Sequence, residues 1–460
     1  MCMYLFFRVF RIAYFVFYAY FELLYRKNYS VLVSEVEKMG PAFIKFGQFF
    51  SSMGDFICSD LSTELRKLCD NVKPVSYVEV KASIEKEFSK GIDRLFKWID
   101  ERPTASASIA QVHKAITLSG EVVAVKILKP GVKKIFKRDI KIAFSIVYIL
   151  SFFLPKRFNL ITILKKFSAS TKNELDLKME AAALSEMKDK LLTNKTVVIP
   201  EVYWGLTTNE ILTMSWLEGV PLTHCKLCDP QFARRLVETF FVQVYVNGFF
   251  HGDMHLGNIF LISGHKVGLV DFGIIGRIDE QTKVYVLELI KGFLERDYDR
   301  VAELHYSAGY VERSRTDFAS ACRALAEPIV DKPLKEVSLS RLLGDFFKLS
   351  RDFRIEINPN LILMQKNLIF LEANCAKLDP EINVWRIIEP MIRRWYKDRM
   401  CPTVLVREKI HKIAVVLKEA FEDNKESKYR AVTASRCEVF FWICLASIIN
   451  FLAILACRFF

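Results

Sequence analysis

The pattern of apolar and polar positions predicts two β-hairpins in the middle of the chain. In the first, IAQVHKAITL and EVVAVKIL flank the turn Ser119-Gly120, and both segments are rich in β-branched residues. In the second, residues 259–262 and 267–270 flank Ser263-Gly264. A further strand is predicted in NEILTMSWLEG, and the stretches between, including ELDLKMEAAALSEM, favour helices. An α+β fold is therefore expected.

The C-terminal end carries a long uncharged segment. VFFWICLASIINFLAILAC, from Val439 to Cys457, has nineteen residues without a charge, close to what one helix needs to cross a hydrocarbon layer of about 30 Å. Four basic residues stand on its N-terminal side, which predicts a single transmembrane helix with the body of the protein in the cytoplasm. A buried core helix is the alternative. The basic residues are Lys425, Lys428, Arg430 and Arg436.

The N-terminal segment 1–30 is apolar and aromatic, but Arg8 and Arg11 interrupt it. Its uncharged run from 12 to 21 is too short to span a bilayer. We expect an interfacial helix at the membrane surface, with packing on the protein itself as the alternative. A third apolar run, from Ile142 to Leu154, is also too short to span and is expected to be buried.

Composition adds a membrane and an anionic partner to this picture. Hydrophobic residues make up 52% of the 460 residues, and mean hydropathy is +0.18. The 66 basic and 53 acidic residues give a net charge of +13, which suits nucleotide phosphates or an anionic lipid surface. No nucleic-acid-binding module is recognisable. Of eleven cysteines only Cys225 and Cys228 form a CxxC, and a structural zinc site would need a second pair, so reduced thiols are expected.

A charged residue interrupts the second strand of the first hairpin. Lys126 stands between Val125 and Ile127, and its side chain points to the opposite face of the strand. A lysine is costly to bury alone, so Lys126 needs an anionic partner. Either a ligand phosphate or a helical carboxylate would serve. The acids that the next helical stretch offers are Glu174, Asp176 and Glu180.

HGDMHLGNIFLISGHKVGLVDFG supplies two carboxylates and an amide. Asp253 and Asn258 precede the second hairpin and Asp271 ends it, so the three side chains can meet at one point. This arrangement suits phosphoryl transfer. Asp271 and Asn258 would hold Mg²⁺ against the phosphates of ATP, Asp253 would orient a hydroxyl or water, and Lys126 would grip the α- and β-phosphates. Turn capping explains any one of these residues, but not all the spacings together.

These motifs resemble the UbiB family of atypical kinases, also called AarF or aarF-domain-containing kinases, over roughly residues 39–384. GPAFIKFGQFFSSMGD resembles the family's KxGQ signature, with Lys45, Gly47 and Gln48 as its fixed positions. PTASASIAQVH resembles its alanine-rich loop, ELDLKMEAA its ExD motif, and LEANCAKLDPEINV its C-terminal lobe. HGDxHxGN alone is shared with small-molecule phosphotransferases, whereas the KxGQ signature and the alanine-rich loop are not.

The resemblance implies a bilobal protein-kinase-like fold with a helical N-terminal extension over the active site. It implies that Lys45 and Gln48 belong to this extension, that Lys45 meets the ExD acids and the metal-binding aspartate, and that Glu180 pairs with Lys126. Lys45 is therefore expected to compete with Mg²⁺ for Asp271. Further nucleotide contacts are expected from the alanine-rich loop and the connector after the last strand, namely Ala105, Ser106, Ala107, Ser108, Met214 and Trp216.

Five segments are expected along the chain. They are an apolar N-terminal segment (1–30), a KxGQ extension (31–100), a kinase-like N-lobe (101–215), a mostly helical C-lobe (216–436) and a transmembrane helix (439–457). Two features depart from the family pattern: Ser215 stands where an acid is expected, and one C-terminal hydrophobic span is predicted where a pair is common.

The expected function is that of a membrane-associated atypical kinase or ATPase, a transferase-type protein that binds Mg-ATP. The resemblance implies a role in isoprenoid quinone (ubiquinone-type) biosynthesis or lipid precursor handling at the cytoplasmic face of the inner membrane. Expected partners are membrane lipids and quinone precursors or quinone-biosynthesis enzymes, without nucleic acid. A small-molecule or lipid phosphotransferase and a non-catalytic nucleotide-sensing scaffold are the alternatives.

Overall fold

A computed structural model describes scattered positions between 8 and 22 and residues 28–52, 59–65, 68, 73–150, 160–225, 229–307, 315–330, 338–352 and 358–399. The chain divides into two compact units, residues 1–382 and 383–460. In the second unit the described part is one helix, α14 (Val384–Arg399). All other elements belong to the first unit.

In the described part of the chain, four continuous helices between residues 28 and 88 precede the first sheet. Asn28 caps the first helix through its side chain, and Gly40, at φ +98°, separates it from the second, which Pro41 begins. Ser76 and Glu79 form a capping box at the start of the fourth helix. The helices are α1 (Tyr29–Met39), α2 (Pro41–Ser52), α3 (Ser59–Leu65) and α4 (Tyr77–Phe88).

The N-terminal lobe is built on a five-stranded antiparallel sheet, in the order β1-β3-β4-β6 with β2 paired to β3. One face, with Val125 and Ile127 in its core, packs on Val80 and Ile84 of α4, and the other face packs on helices. The strands are β1 (Phe96–Ile99), β2 (Ala105–Ser106), β3 (Ala110–Thr117), β4 (Val122–Leu128) and β6 (Ile211–Ser215). The helices are α5 (Val132–Leu150), α6 (Leu160–Glu174) and α7 (Leu177–Lys190).

The first predicted hairpin is confirmed as β3 and β4, with Gly120 at φ +93° in the turn. Two expectations need correction. The sheet already begins with β1, inside the range 31–100 assigned to the extension, because Phe96 and Ile99 are buried against the sheet core. ELDLKMEAAALSEM is not one helix: α6 ends at Glu174, and Asp176 caps α7 by accepting a hydrogen bond from the Lys178 amide.

The C-terminal lobe contains two small sheets, β5-β10-β9-β7 and β8-β11, surrounded by helices. The second predicted hairpin is confirmed as β9 and β10, and a short strand, β11, lies between Gly273 and the next helix. The strands are β5 (Val197–Val198), β7 (Gly219–Pro221), β8 (Phe249–His251), β9 (Ile259–Ile262), β10 (Lys266–Leu269) and β11 (Ile275–Arg277). The helices are α8 (Pro230–Phe241), α9 (Glu280–Leu294), α10 (Tyr298–Ser307), α11 (Arg315–Val330), α12 (Leu339–Asp352) and α13 (Pro359–Leu378).

The described part of the N-terminal segment packs on the protein along one face. Ile12 is buried against Met39 and Ile142, and Arg8 forms an ion pair with Asp139 of α5. Its other face leaves aromatic side chains exposed, namely those of Phe10 and Tyr14. One face of the segment thus packs on the protein itself, and the exposed aromatic face is consistent with the alternative of an interfacial helix.

In the apolar run of α5 the expected burial holds only in part. Ile142 is buried, whereas Tyr148 is 61% exposed. Among the described residues no helix has both the length and the apolar character needed to cross a bilayer. The predicted span 439–457 lies outside the described residues.

Candidate active site

Lys126 joins the sheet to a helix and to the end of the second hairpin. Its Nζ lies 2.7 Å and 2.9 Å from the two carboxylate oxygens of Glu180 in α7 and 3.1 Å from Oδ1 of Asp271. The side chains of Lys126 and Glu180 are 13% and 4% exposed. The sequence left a ligand phosphate or a helical carboxylate open as the partner of Lys126. In the structure the helical carboxylate is that of Glu180, and the same ammonium group also contacts Asp271.

Charge pairing controls the protonation of this cluster. Burial disfavours the charged form of Lys126, but the carboxylates of Asp271 and Glu180 outweigh burial and raise its pKa. Burial would raise the pKa of Asp271, yet the Lys126 ammonium overrides it and holds that pKa well below the usual range. Burial raises the pKa of Glu180 above its ordinary value, and Lys126 opposes that rise. Asp271 is therefore ionised at neutral pH.

Asp271 itself has an unusual backbone. Its φ of +63° is in the left-handed region, which costs a non-glycine residue about 1–2 kcal/mol. The conformation brings Oδ1 next to Lys126 and within 3.4 Å of the Gly273 amide, which donates to it. The Asp271 side chain nevertheless retains 47% exposure, so a ligand can reach its carboxylate.

The loop before the second hairpin is fixed around a buried histidine. His251 is fully buried, its Nε2 lies 2.9 Å from the carbonyl oxygen of Val270, and its Nδ1 accepts a hydrogen bond from the Asp253 amide at 3.0 Å. This pair of contacts assigns the neutral Nε2–H tautomer, and burial lowers the pKa of His251. The loop is closed by the Asn258 side-chain NH₂, which donates to the carbonyl oxygen of Asp253 at 3.1 Å.

Asn258 and Asp271 fit a Mg²⁺ ion bound together with a nucleotide. Donation by the Asn258 NH₂ to Asp253 fixes the amide orientation, which leaves its oxygen as the atom that can ligate a metal. The ionised and accessible Asp271 carboxylate supplies the second ligand. Mg²⁺ takes only one or two carboxylate-type ligands from such sites and fills the rest with phosphate oxygens and water.

No group of three or more histidine, cysteine, aspartate or glutamate side chains that could hold a metal occurs within the described part of the chain. Cys225 of the CxxC is a free, half-buried thiol, and Cys228 lies outside the described residues. Zinc therefore gains no support from the described side chains.

The extension reaches the site through Lys45 of α2. Its Nζ lies 2.5 Å from Oε2 of Glu174, and the two side chains are 22% and 10% exposed. Burial disfavours the charged form of Lys45, but Glu174 outweighs burial and raises its pKa. The carboxylates of Asp271 and Asp253 act in the same direction. Lys45 thus lies within the electrostatic field of the site, although the ammonium in direct contact with Asp271 is that of Lys126.

The other two fixed positions of the KxGQ signature hold α2 against the segment after α3. The side chain of Gln48 donates to the carbonyl oxygen of Leu68 at 2.6 Å. A Cβ atom on Gly47 would clash with Cδ1 of the buried Leu68, so a larger residue would force that side chain to move. Phe46 and Phe49 add edge contacts to Phe167 of α6, with ring centroids 5.0 Å and 5.5 Å apart.

Asp176 has a different role from the one the resemblance implies. Its carboxylate caps α7 and accepts a 3.4 Å hydrogen bond from the Asn209 side chain, whereas the described contact of Lys45 is to Glu174. The reason is the break between α6 and α7, which places the two acids of the ExD motif on different elements.

The expected nucleotide-contacting segments are partly engaged in the sheet. Ala105 and Ser106 form β2, the Ala107 amide donates to the Ala110 carbonyl at 2.8 Å, and Ser108 is 4% exposed. The alanine-rich segment is thus a tight hairpin rather than an open loop.

In the connector, the Trp216 amide donates to the carbonyl of Val122, and Met214 pairs with Ala124 in β4. Ser215, the departure from the family pattern, donates its amide to the Glu201 carbonyl, and its hydroxyl accepts from the Glu201 amide at 2.9 Å. The Trp216 amide is thereby excluded as a free donor to adenine.

Sequence reasoning missed two neighbouring residues of α13. Lys366 Nζ lies 2.9 Å from Oδ1 of Asp253, and Lys366 opposes the effect of burial and holds the pKa of Asp253 below its usual range. Asn367 is fully buried, accepts from the Met254 amide at 2.9 Å and donates to the His251 carbonyl at 2.8 Å. The available signal was the polar triplet Gln365-Lys366-Asn367 within the apolar helix PNLILMQKNLIFLE.

A second missed contact links the two lobes. Arg277 of β11 donates to both carboxylate oxygens of Glu186 in α7, at 2.9 Å and 2.5 Å, and lies over the ring of Phe249. This pair ties the strand that follows Asp271 to the helix that carries Glu180.

Sequence and structure comparisons find relatives over most of the chain. The ABC1 atypical kinase-like domain matches residues 67–305, and the UbiB helical domain matches residues 322–383. A probable protein kinase UbiB from Cellvibrio japonicus is 35% identical over 386 residues, covering 81% of this chain and 70% of that protein. One from Azotobacter vinelandii is 33% identical over 408 residues, covering 84% and 76%.

A solved complex of Rv3197 with erythromycin from Mycobacterium tuberculosis aligns with a TM-score of 0.54 at 22% identity, over 75% of this chain and 90% of that chain. This likeness concerns the fold alone. Together with the domain matches it confirms the predicted α+β protein-kinase-like fold.

Proposed function

This chain belongs to the UbiB family of atypical kinases, and from that premise we propose that it binds Mg²⁺-ATP and transfers the γ-phosphate to water or a small acceptor. The observation that carries the proposal is the cluster in which Lys126 bridges Glu180 and Asp271 at 2.7 Å and 3.1 Å. A buried lysine held by two carboxylates, one of them accessible, provides both a phosphate-binding cation and a metal ligand.

The roles of the residues follow from their chemistry. Asp271 and the amide oxygen of Asn258 would hold Mg²⁺, which neutralises phosphate charge when bound. Lys126 would contact the α- and β-phosphates while Glu180 keeps it in place. Asp253 would orient the attacking oxygen and accept its proton, because its carboxylate is ionised and 30% exposed.

A thermal-shift titration with MgATP tests this proposal. Wild-type protein is expected to be stabilised by MgATP, whereas Asp271→Asn should lose most of that stabilisation because a metal ligand is gone. Asp189→Asn is the matched control, since it makes the same charge change at an exposed position of α7. An Asp271→Asn protein that MgATP stabilises as much as wild type would refute the assignment.

Product analysis separates the forms that the reaction can take. With water as acceptor, ADP and inorganic phosphate appear in equal amounts, whereas a small-molecule or lipid phosphotransferase forms more ADP than free phosphate. A non-catalytic scaffold would keep its cellular function in Asp253→Asn, and a catalyst would lose it.

We place the cellular role in isoprenoid quinone biosynthesis at a membrane, supported by the family membership and by the uncharged run 439–457 with its basic flank. Lipids and quinone precursors or their enzymes are the proposed partners. Profiling quinones and precursors by mass spectrometry in a deletion strain tests the pathway, and a normal profile would refute it. Deleting residues from Val439 onward should release protein from carbonate-washed membranes, and full retention would place the anchor elsewhere.

A further inference from the structure

Helix α13 brings a lysine to the carboxylate that would orient the attacking oxygen. Lys366 Nζ lies 2.9 Å from Oδ1 of Asp253, and the two side chains are 29% and 30% exposed. The ammonium is also 6.0 Å from the centre of the Phe370 ring, one turn further along the helix. Lys366 therefore lies at the accessible edge of the site, where it can change partners without becoming buried and unpaired.

The position of Lys366 is fixed by its neighbour. Asn367, fully buried, makes two hydrogen bonds to the loop that carries Asp253, one from the Met254 amide and one to the His251 carbonyl. These bonds set both the rotation and the height of α13 relative to the loop. A lysine placed this accurately differs from a surface lysine that meets an acid by chance.

The site needs a cation beside Asp253 that neither its own loop nor Lys126 and Lys45 supply. The loop His251–Asn258 contains neither lysine nor arginine. Lys126 is held by Glu180 and Asp271, and Lys45 by Glu174, so neither ammonium contacts Asp253. A phosphoryl group in transfer carries negative charge on three equatorial oxygens, and an adjacent carboxylate would repel it without a cation between them.

We propose that Lys366 is a catalytic residue that leaves Asp253 for a γ-phosphate oxygen when MgATP binds. The inference rests on the proposed function. It adds a cation supplied by α13 rather than by the loop His251–Asn258. In the transfer step the acceptor oxygen gives its proton to Asp253 and forms a bond to γ-phosphorus. The bond from γ-phosphorus to the oxygen it shares with the β-phosphate breaks, and Lys366 changes hydrogen-bond partner only.

Binding of ATP against ADP isolates this contact, because only ATP carries the γ-phosphate. Calorimetric titrations would use Mg²⁺ with ADP and with a non-hydrolysable ATP analogue. Lys366→Met is expected to bind the ATP analogue roughly tenfold more weakly and ADP within about twofold of wild type. Its kcat for ATP turnover should fall by about 100-fold. Lys366→Arg, which keeps a cation, should recover most of the preference for ATP.

Two controls separate this role from a structural one. Lys377→Met makes the same substitution at an exposed position of the same helix and should change neither affinity. Lys366→Gln repeats the measurement with a polar side chain in case Lys366→Met fails to fold.

The inference is overturned if both Lys366→Met and Lys366→Gln keep the wild-type ratio of ATP to ADP affinity, or lose both affinities equally. A wild-type protein that binds neither nucleotide would refute the proposed function first, and the inference with it. A wild-type protein that binds both, beside a Lys366 variant with the same ratio, refutes the inference alone.

Discussion

Replacing Lys45 by methionine is expected to loosen the extension from the N-terminal lobe. The variant leaves the Glu174 carboxylate, 10% exposed, without the ammonium that lies 2.5 Å away. Removing one partner of a fully buried ion pair costs about 3–5 kcal/mol. Because Lys45 retains 22% exposure, water can replace part of the contact, and we expect a cost of about 2–3 kcal/mol. The open population of α2 should therefore rise roughly 30- to 150-fold.

Hydrogen exchange measured by mass spectrometry on peptides that cover α2 gives this population directly. The double variant Lys45→Met/Glu174→Gln should exchange more slowly than Lys45→Met, since no unpaired charge remains. Lys38→Met is the matched control, because its ion pair to Glu35 has 61% and 35% exposure and contributes little. Exchange in α2 that stays within about twofold of wild type in Lys45→Met would show that the aromatic contacts alone hold the extension.

Two further predictions concern the stability of the C-terminal lobe. A Cβ at Gly276 would lie 2.0 Å from the fully buried Phe250 ring, so Gly276→Ala should cost about 1–3 kcal/mol and lower the melting temperature. Gly205→Ala is the control, because a Cβ at that position would have no atom within 4 Å. Equal melting temperatures for the two variants would contradict the clash at Gly276. Burial lowers the pKa of His305 to about 4, and the unfolded chain binds this proton near pH 6.5, so stability is lost as pH falls below that value. Between pH 7.5 and pH 5.5, the free energy of unfolding of wild type should fall by about 1.3 kcal/mol more than that of His305→Gln. Equal falls in the two proteins would refute a buried, neutral His305.

Local signals explain why the two hairpins could be predicted from the sequence. They also explain why Asp253 and Asn258 could be placed before the second hairpin and Asp271 at its end. A Ser-Gly turn between two β-branched runs specifies a hairpin within about twenty residues. The requirement that Lys126 meet an acid is equally local, because the cost of an unpaired buried ammonium does not depend on the fold. Which acid it meets is not local. Because the helix breaks at Leu175-Asp176, Glu174 contacts Lys45 and Glu180 contacts Lys126.

Long-range placement explains what sequence reasoning missed. Lys366 and Asp253 are 113 residues apart, and their contact depends on the rotation of α13, which Asn367 sets through the backbone of another loop. The engagement of the Trp216 amide with Val122 likewise follows from the strand register between β4 and β6. A polar triplet in an apolar helix indicates that a partner exists, but only the packed structure identifies that partner.

The pairing of Lys126 and Lys366 suggests that the proposed nucleotide binding would proceed by exchange of partners. Lys126 contacts Glu180 through two oxygens and Asp271 through one, so Mg²⁺ can take Asp271 while Lys126 stays paired. Lys366 can likewise exchange Asp253 for phosphate. Lys126 already neutralises Asp271, so Mg²⁺ alone would have to displace that contact with no phosphate charge to offset the added cation. Mg²⁺ without ATP should therefore bind weakly, and the nucleotide phosphates, by adding negative charge beside Lys126 and Lys366, would make the exchange favourable.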